Sequence, residues 1–312
     1  MNHSPSVAPP HLLLRLLAGS VCISFSPVFI KLADVPPDPA GFYRMLFASL
    51  SLLVLLRLQG GKLTSVRNTL LLLAGGGLFL SIDFMCWHRS IHLVGPGLAT
   101  LLANFQVFFT ALFACLFLKQ KITRLFMLAV VIALIGLLLI TGVDWNVLGE
   151  GTRLGILLGL ATAVFYSGYI LLLKGALNSS SVSGVAAMLV VSLISTVLLG
   201  LVTSVGGASF VIPDVSSLLA LLGVGVVSTT LGWTLISSAI KFLPATTAGL
   251  VLLLQPALAC VWDVIFFARP TNGTEVVGIT LILGAIYIGS YRKNVESLAK
   301  PALAPDVTQS KS

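Results

Sequence analysis

Long apolar stretches alternate with short polar breaks along the chain. Each stretch holds about 20 mostly apolar residues, the length that an α-helix needs to cross the hydrocarbon core of a bilayer. The breaks, such as 34–39, 59–62 and 178–181, are rich in Pro, Gly, Asn and Ser, which is typical of turns. The pattern predicts ten membrane-spanning helices, at 12–31, 39–58, 68–91, 96–118, 123–142, 153–174, 184–205, 215–240, 245–268 and 275–292.

The composition indicates the same class of protein. Of the 312 residues, 57% are hydrophobic and 9% are charged, and the mean hydropathy is +1.07. A soluble domain carries roughly 25% charged residues, so this chain has too few charges to cover a water-facing surface. The sequence therefore predicts an all-α integral membrane protein that faces lipid over most of its area.

The basic residues predict an orientation. They lie mainly in the short breaks rather than on one helix face, so we expect no nucleic acid as a partner despite the net charge of +8. With the N-terminus in the cytoplasm, 12 Lys and Arg residues are cytoplasmic and 4 lie on the other side, as the positive-inside rule requires. Ten spans then leave both termini in the cytoplasm, and we expect the cytoplasmic (inner) membrane as the location. The cytoplasmic residues are Arg57, Lys62, Arg67, Lys119, Lys121, Arg124, Lys174, Lys241, Arg292, Lys293, Lys300 and Lys311, and the outer residues are Lys31, Arg89, Arg153 and Arg269.

The chain repeats itself with an offset of 149 residues. Each repeated segment is the fourth span of a five-span half, and an odd number of spans per half inverts one half relative to the other. The alternative is that two apolar helices resemble each other by composition alone. We expect two inverted repeats around a central cavity, at 12–142 and 153–292, with a cytoplasmic tail at 1–11 and a disordered one at 293–312. The identical positions are Ile91 and Ile240, Ala99 and Ala248, Leu101 and Leu250, Gln106 and Gln255, and Phe117 and Phe266.

Five groups of residues carry a resemblance to a known family, namely Phe42–Arg44, Asp83 with Trp87 and His88, Thr100–Asn104, Leu254–Ala257 and Gly278–Gly289. With these residues the chain resembles the two-repeat EamA branch of the drug/metabolite transporter superfamily. The resemblance implies ten helices in two inverted halves around a cavity near mid-membrane, and members that export amino acids, other metabolites or drugs, while some import. One departure is that many members have a glutamate at the end of each fourth helix, where this chain has Lys119–Lys121 and Ala268–Pro270.

Asp83 is the leading candidate for a functional residue, because a charge near the bilayer centre costs at least about 2.5–3.5 kcal/mol. It can exchange a proton or bind a substrate amine, or it can form a static pair with Arg44 or a hydrogen bond to His88. Trp87 lies four residues further on the same helix face, either as an aromatic wall for the solute or as an interfacial anchor. His88 is a second candidate for proton coupling.

Further candidates lie in other spans. Arg44, next to Tyr43, can hold a substrate carboxylate, neutralise Asp83 or extend to the outer headgroups. The amides in the middle of spans 4 and 9 either line the cavity or join helices. Trp233 corresponds by the repeat offset to Phe84, and Asp263 is a weaker candidate for proton coupling. The predicted substrate-binding residues are Tyr43, Arg44, Asp83, Trp87, Asn104, Gln106, Trp233 and Gln255.

The sequence lacks GxSxG, HExxH and Walker A motifs, so we predict neither an enzyme nor an intrinsic ATPase, and no metal or cofactor. The function expected is secondary active transport of a small metabolite, such as an amino acid or a drug, by alternating access. We favour efflux, with proton coupling as a hypothesis. The rivals are an importer or facilitator of a nucleobase-like solute, a membrane enzyme and a non-transporting receptor. The expected partners are the solute and membrane lipid, with the protein a monomer or homodimer.

Overall fold

The computed structural model describes residues 10–63, 66–118, 124–141, 148–179, 182–240, 251–252 and 254–298. Throughout this part of the chain every regular element is a helix, which confirms the predicted all-α class. The helices are α1 (Pro10–Ser24), α2 (Ser26–Leu32), α3 (Pro37–Leu58), α4 (Arg67–Val94), α5 (Pro96–Ala103), α6 (Gln106–Leu118), α7 (Arg124–Thr141), α8 (Glu150–Ser179), α9 (Gly184–Val205), α10 (Val215–Leu222), a π-helical segment (Gly223–Gly232), α11 (Trp233–Ile240), α12 (Leu254–Phe267) and α13 (Gly273–Leu298).

Seven helical stretches within the described residues are long and apolar enough to cross a membrane, which confirms a multi-pass membrane protein. Three shorter apolar helices, Met127–Ile140, Leu254–Phe267 and Gly273–Ile288, coincide with the remaining predicted spans. The total of ten crossings stays a prediction. The seven long stretches are His11–Leu32, Pro37–Leu58, Arg67–Val94, Pro96–Phe113, Glu150–Asn178, Gly184–Val205 and Val215–Ala239.

The predicted tails are described only in part. Helix α13 continues to Leu298, so the predicted start of a disordered tail at residue 293 falls within a helix. The remainder of that tail, 299–312, lies outside the described residues, as do residues 1–9 of the N-terminal tail. Five of the basic residues used for the orientation also lie outside them, namely Lys119, Lys121, Lys241, Lys300 and Lys311.

Helix α9 shows how the chain adapts to lipid. It exposes Leu193, Val197 and Leu201, which follow one another at intervals of four residues and form an apolar stripe. Its opposite face buries Ser192 and Ser195, and the hydroxyl of Ser195 donates a hydrogen bond to the Gly77 carbonyl in α4 at 3.0 Å. Apolar side chains therefore face outward while small polar ones join the helices, which is the arrangement expected in hydrocarbon.

The helices pair across the two halves of the chain. Helix α4 runs along α8, and α1 runs along the π-helical segment and α11. Helix α3 packs against α9, α5 against α12, and α7 against α13. Every one of these pairs joins one helix from the first predicted repeat with one from the second.

Glycines allow the closest of these approaches. A Cβ atom on Gly278 of α13 would lie 2.6 Å from the carbonyl oxygen of Gly136 in α7, and one on Gly136 would lie 2.7 Å from that of Gly278. Gly19 of α1 and Gly232 of the π-helical segment approach each other in the same way. The backbones are thus in van der Waals contact at both crossings, where no larger residue fits.

Two of the spans are broken near the middle of the bundle. The first breaks at Phe25, between α1 and α2, where Pro27 lacks the N–H that would continue the helix ladder. The second breaks between α5 and α6, where the Asn104 N–H bonds to the carbonyls of both Thr100 and Leu101 at 3.2 Å. Both breaks border the same cavity, described below.

We expect the Gly278→Leu substitution to destabilise the protein by about 1–3 kcal/mol, because the new side chain overlaps the Gly136 backbone. The measurement is thermal unfolding of the purified protein in detergent. The matched control is Gly284→Leu in the same helix, where an added Cβ meets nothing within 4 Å. Equal unfolding temperatures for the two variants would contradict the close contact.

Candidate functional site

A cavity of about 160 Å3 lies between the helices of the two halves, and we call it the central cavity. Its walls come from α1, α2, α3, α4, α5, α6, α8 and α12. Six of the eight residues that the sequence predicts for substrate binding line it, and they come from four of the predicted spans. They are Arg44, Asp83, Trp87, Asn104, Gln106 and Gln255.

Both broken spans contribute to this cavity. Ser24, Ser26 and Pro27 line it at the break between α1 and α2, and Asn104 and Gln106 line it at the break between α5 and α6. A break in a membrane helix leaves backbone groups without their usual partners, so it is tolerated where protein or a cavity surrounds it. Discontinuous helices at mid-depth are a recurrent feature of solute sites in transporters.

Hydrogen bonds to the Gln106 carbonyl hold the second break in place. This oxygen accepts bonds from the hydroxyls of Thr110 at 2.6 Å and Ser167 at 3.0 Å. The Asn104 side-chain amide in turn donates to the Thr100 carbonyl at 2.8 Å. The break therefore has fixed partners from α6 and α8, and the side chains of Asn104 and Gln106 reach the cavity from a defined backbone.

Arg44 reaches the central cavity from α3 and is 9% exposed. Its Nε donates a hydrogen bond to the Thr229 hydroxyl at 3.1 Å, from the π-helical segment. Its guanidinium carbon lies 4.2 Å from the ring centroid of Phe84 and 5.3 Å from that of Trp87. Two aromatic rings of the first half and one hydroxyl of the second half thus surround this charge.

Asp83 lies on α4 at the same cavity and is 3% exposed. Among the described residues no ion pair within 4.0 Å includes it, so Arg44 and Asp83 share the cavity without forming a salt bridge. Its Oδ1 atom is buried and has no hydrogen-bond partner in the described part of the chain. The static pair with Arg44 considered from the sequence is therefore not formed.

Four other buried polar atoms, on residues that line the cavity, also have no hydrogen-bond partner among the described residues. They are Arg44 Nη1, Trp87 Nε1, Ser26 Oγ and Thr100 Oγ1. A buried polar group without a partner costs roughly 1–3 kcal/mol in proteins, so such groups are rarely gathered in one place without a reason. Five such atoms, with Asp83 Oδ1 included, therefore belong to residues that line this one cavity.

The remaining candidates lie away from this cavity. The Tyr43 hydroxyl donates to the Phe210 carbonyl in the segment after α9. Trp233 begins α11 and faces Gly184, where a Cβ would lie 3.7 Å from its ring. His88 is fully buried, stacks on Phe84 with ring centroids 5.5 Å apart, and has its Nδ1 3.1 Å from the Pro37 carbonyl oxygen.

Asp263 lies near a different opening, a second pocket of about 520 Å3 that Lys31 and Glu275 also line. Its Oδ2 accepts a hydrogen bond from the Gly97 N–H at 3.0 Å and lies 3.7 Å from Arg269 Nη1. Gly95, with φ of +87°, makes the tight turn into α5, where a Cβ would meet this carboxylate at 2.7 Å. Of the three candidates for proton coupling, only Asp83 lines the central cavity.

The structure adds lining residues that the sequence did not single out for binding. Four of the nine are serine or threonine, which a membrane helix accommodates easily because they can bond to their own backbone. Thr100 lies four residues before Asn104, a spacing that places both on one helix face and could have identified Thr100 from the sequence. The added residues are Ser24, Ser26, Thr100 and Thr162, the aromatic residues Phe84 and Tyr166, and Ile23, Pro27 and Ala103.

Comparisons with known proteins agree with this architecture. A protein of Clostridium kluyveri named "Uncharacterized transporter" is 28% identical over 240 residues, which are 73% of this chain and 74% of that protein. A solved structure described as "Crystal structure of protein" shares the fold with a TM-score of 0.64 and 16% identity, over 89% of this chain and 98% of that one. The model of the EamA-like transporter family matches residues 12–142 and 153–291, which confirms the family resemblance. Because these two matches span most of its length, the chain belongs to the EamA-like transporter family.

Proposed function

We propose that this protein is a secondary transporter that binds a small solute in the central cavity and releases it by alternating access. The observation that carries the proposal is the presence of two unpaired charges, Arg44 and Asp83, at one buried cavity between the halves. Charged residues inside a membrane protein typically mark a solute or ion pathway. The cavity volume of about 160 Å3 lies below the range of roughly 300–1,000 Å3 for drug-sized sites, so it favours a compact metabolite, such as an amino acid, over a drug.

The helix pairing supports two inverted repeats as the basis of this movement. The packing of α4 on α8 joins the third helix of the first half to the first helix of the second half. Likewise, α11 and the π-helical segment, which form the third span of the second half, pack on α1, which begins the first half. Gln106 and Gln255, equivalent by the repeat offset, both line the central cavity. Such symmetry allows one half to rock against the other around a fixed site.

The charge distribution supports a cytoplasmic location for both termini. Lys31 and Arg269, which the sequence places on the outer side, line the same second pocket and so lie at one end of the bundle. Arg89, also expected outside, pairs with Asp38 at 2.7 Å at the start of α3. We therefore propose the cytoplasmic membrane as the location. Efflux as the direction of transport rests on the resemblance to the exporters of the family alone.

Transport by the reconstituted protein tests the proposal. Liposomes that contain the purified full chain are exposed to a cell metabolite extract, with and without an imposed pH gradient, and their contents are identified by mass spectrometry. We expect one or a few compact metabolites to accumulate faster than in protein-free liposomes. The proposal fails if no solute accumulates faster than in protein-free liposomes, whichever side of the membrane is more acidic.

The same measurement separates the rival functions. An importer or facilitator of a nucleobase-like solute predicts nucleobases among the accumulated solutes and no response to the pH gradient. A membrane enzyme predicts a chemically altered product in the extract rather than a redistributed solute. A non-transporting receptor predicts binding of a metabolite without its passage.

We expect the Asp83→Asn variant to lose the part of transport that a pH gradient drives, because an amide cannot exchange a proton at this position. The measurement is uptake of the identified solute at equal and unequal pH on the two sides of the membrane. Asp34→Asn is the control, since Asp34 is exposed outside the central cavity, and it should keep the response. Full pH-dependent transport by Asp83→Asn would refute proton coupling through this residue.

The proposed orientation predicts the reactivity of single cysteines placed in a variant without native cysteines. Ser209→Cys, after α9, should react with a membrane-impermeant maleimide added to intact cells, because this exposed position lies on the outer side. Asn68→Cys, at the exposed start of α4, should react only once the cells are permeabilised. The reverse pattern would invert the proposed orientation.

A further inference from the structure

The unpaired atoms at the central cavity fall into two chemical groups. Arg44 Nη1 and Trp87 Nε1 can only donate hydrogen bonds, whereas an ionised Asp83 Oδ1 can only accept them. We infer that the central cavity binds a zwitterion, with its anionic group on Arg44 and Trp87 and its cationic group on Asp83. This inference rests on the proposed function, which it extends from a small solute to one that carries both charges.

Arg44 and Trp87 together form a receptor for an anionic group. The guanidinium carbon lies 5.3 Å from the Trp87 ring centroid, so the two donors belong to neighbouring side chains on one wall. The guanidinium keeps its charge in proteins, and two adjacent donors match the two oxygens of a carboxylate. Trp87 therefore acts as a hydrogen-bond donor to the solute, a more specific role than that of an aromatic wall.

Asp83 and two hydroxyls form the complementary receptor. Asp83 Oδ1, Ser26 Oγ and Thr100 Oγ1 are oxygen atoms on three helices, all at the central cavity and all without a partner in the described part of the chain. An ammonium group has three N–H donors and no acceptor. A primary ammonium thus satisfies the three oxygens, and the carboxylate of Asp83 offsets its charge.

A solute with a single charge would leave one of these receptors uncompensated. Because Arg44 and Asp83 form no ion pair with each other within 4.0 Å, the unpaired atom of each is not occupied by the other. A purely anionic solute would satisfy Arg44 and leave Asp83 buried without a partner, and a purely cationic solute would do the reverse. A zwitterion satisfies both receptors at once.

Thr229 is the positioning residue for Arg44. Its hydroxyl accepts from Arg44 Nε at 3.1 Å and donates to the Val224 carbonyl at 2.7 Å, within the π-helical segment. With Nε occupied in this way, the buried nitrogen Nη1 has no partner among the described residues. The direction of the free edge of the guanidinium thus depends on a residue that does not line the central cavity.

Binding of charge-matched probes tests the inference. The probes are alanine, leucine and phenylalanine, each with its amide, which keeps only the cation, and its N-acetyl derivative, which keeps only the anion. Thermal stabilisation of the purified full chain reports the affinity. We expect at least one amino acid to bind roughly tenfold or more tightly than either of its derivatives, because each charged hydrogen bond lost weakens binding by about that factor.

Variants should change this discrimination selectively. Asp83→Asn should bind the N-acetyl derivative about as tightly as the amino acid. Arg44→Gln should bind the amide about as tightly as the amino acid. Trp87→Phe keeps the ring but lacks the N–H, so it provides a milder test at the anionic receptor if Arg44→Gln does not fold. Thr229→Val should lose affinity for the anionic group, and Thr229→Ser should restore it because the hydroxyl returns.

Two binding results and one transport result would overturn the inference. One is that a singly charged derivative binds the unmodified protein as tightly as its parent amino acid, and the other is that none of the nine probes binds. If solutes of the metabolite extract are transported but none is a zwitterion, the inference fails while the proposed function stands. If amino acids bind as expected but no solute crosses the membrane, the proposed function fails and the binding inference stands.

Discussion

The charge of Arg44 is the feature around which the centre of the molecule is arranged. A guanidinium stays charged inside a protein, so the surrounding groups have to accommodate it without removing the charge. Phe84 and Trp87 of α4 do so with their ring faces, and Thr229 does so with a hydroxyl from the opposite half. The two halves therefore meet at a charged group, and the position of each half affects the environment of this group.

The broken helices serve the same centre in a different way. A continuous helix presents only side chains to a cavity, whereas the breaks at Phe25 and Asn104 also bring backbone close to it. At the second break the N–H groups of Phe105, Val107 and Phe108 bond to carbonyls three residues earlier, and the Thr110 hydroxyl donates to the Gln106 carbonyl just after it. The polar groups on these two spans are thus divided between those that hold the backbone and those that face the cavity.

The sequence predicts the helical class and much of the cavity because charges and amides are costly inside a bilayer and stand out among apolar residues. Arg44, Asp83 and Gln255 could be identified for this reason. Ser26 and Thr162 could not, since hydroxyls are common in membrane helices and give no distinct signal. Which face of a span reaches the cavity depends on packing between distant segments, which the sequence does not show. For this reason His88 and Tyr43 do not line the cavity, although the sequence makes both of them candidates. Each is polar and close in sequence to a lining residue, yet each bonds to a backbone carbonyl elsewhere.

The π-helical segment Gly223–Gly232 has a consequence for how related sequences are compared. In this segment hydroxyls bond to carbonyls five residues earlier, as Thr229 does to Val224 and Thr230 to Gly225. Residues five apart then share a side, so a helical wheel with 3.6 residues per turn misplaces every position that follows. An ordinary α-helix makes the same number of turns with fewer residues. A comparison with a relative whose helix is regular here therefore needs a gap between 223 and 232, because an ungapped one pairs lipid-facing positions with buried ones.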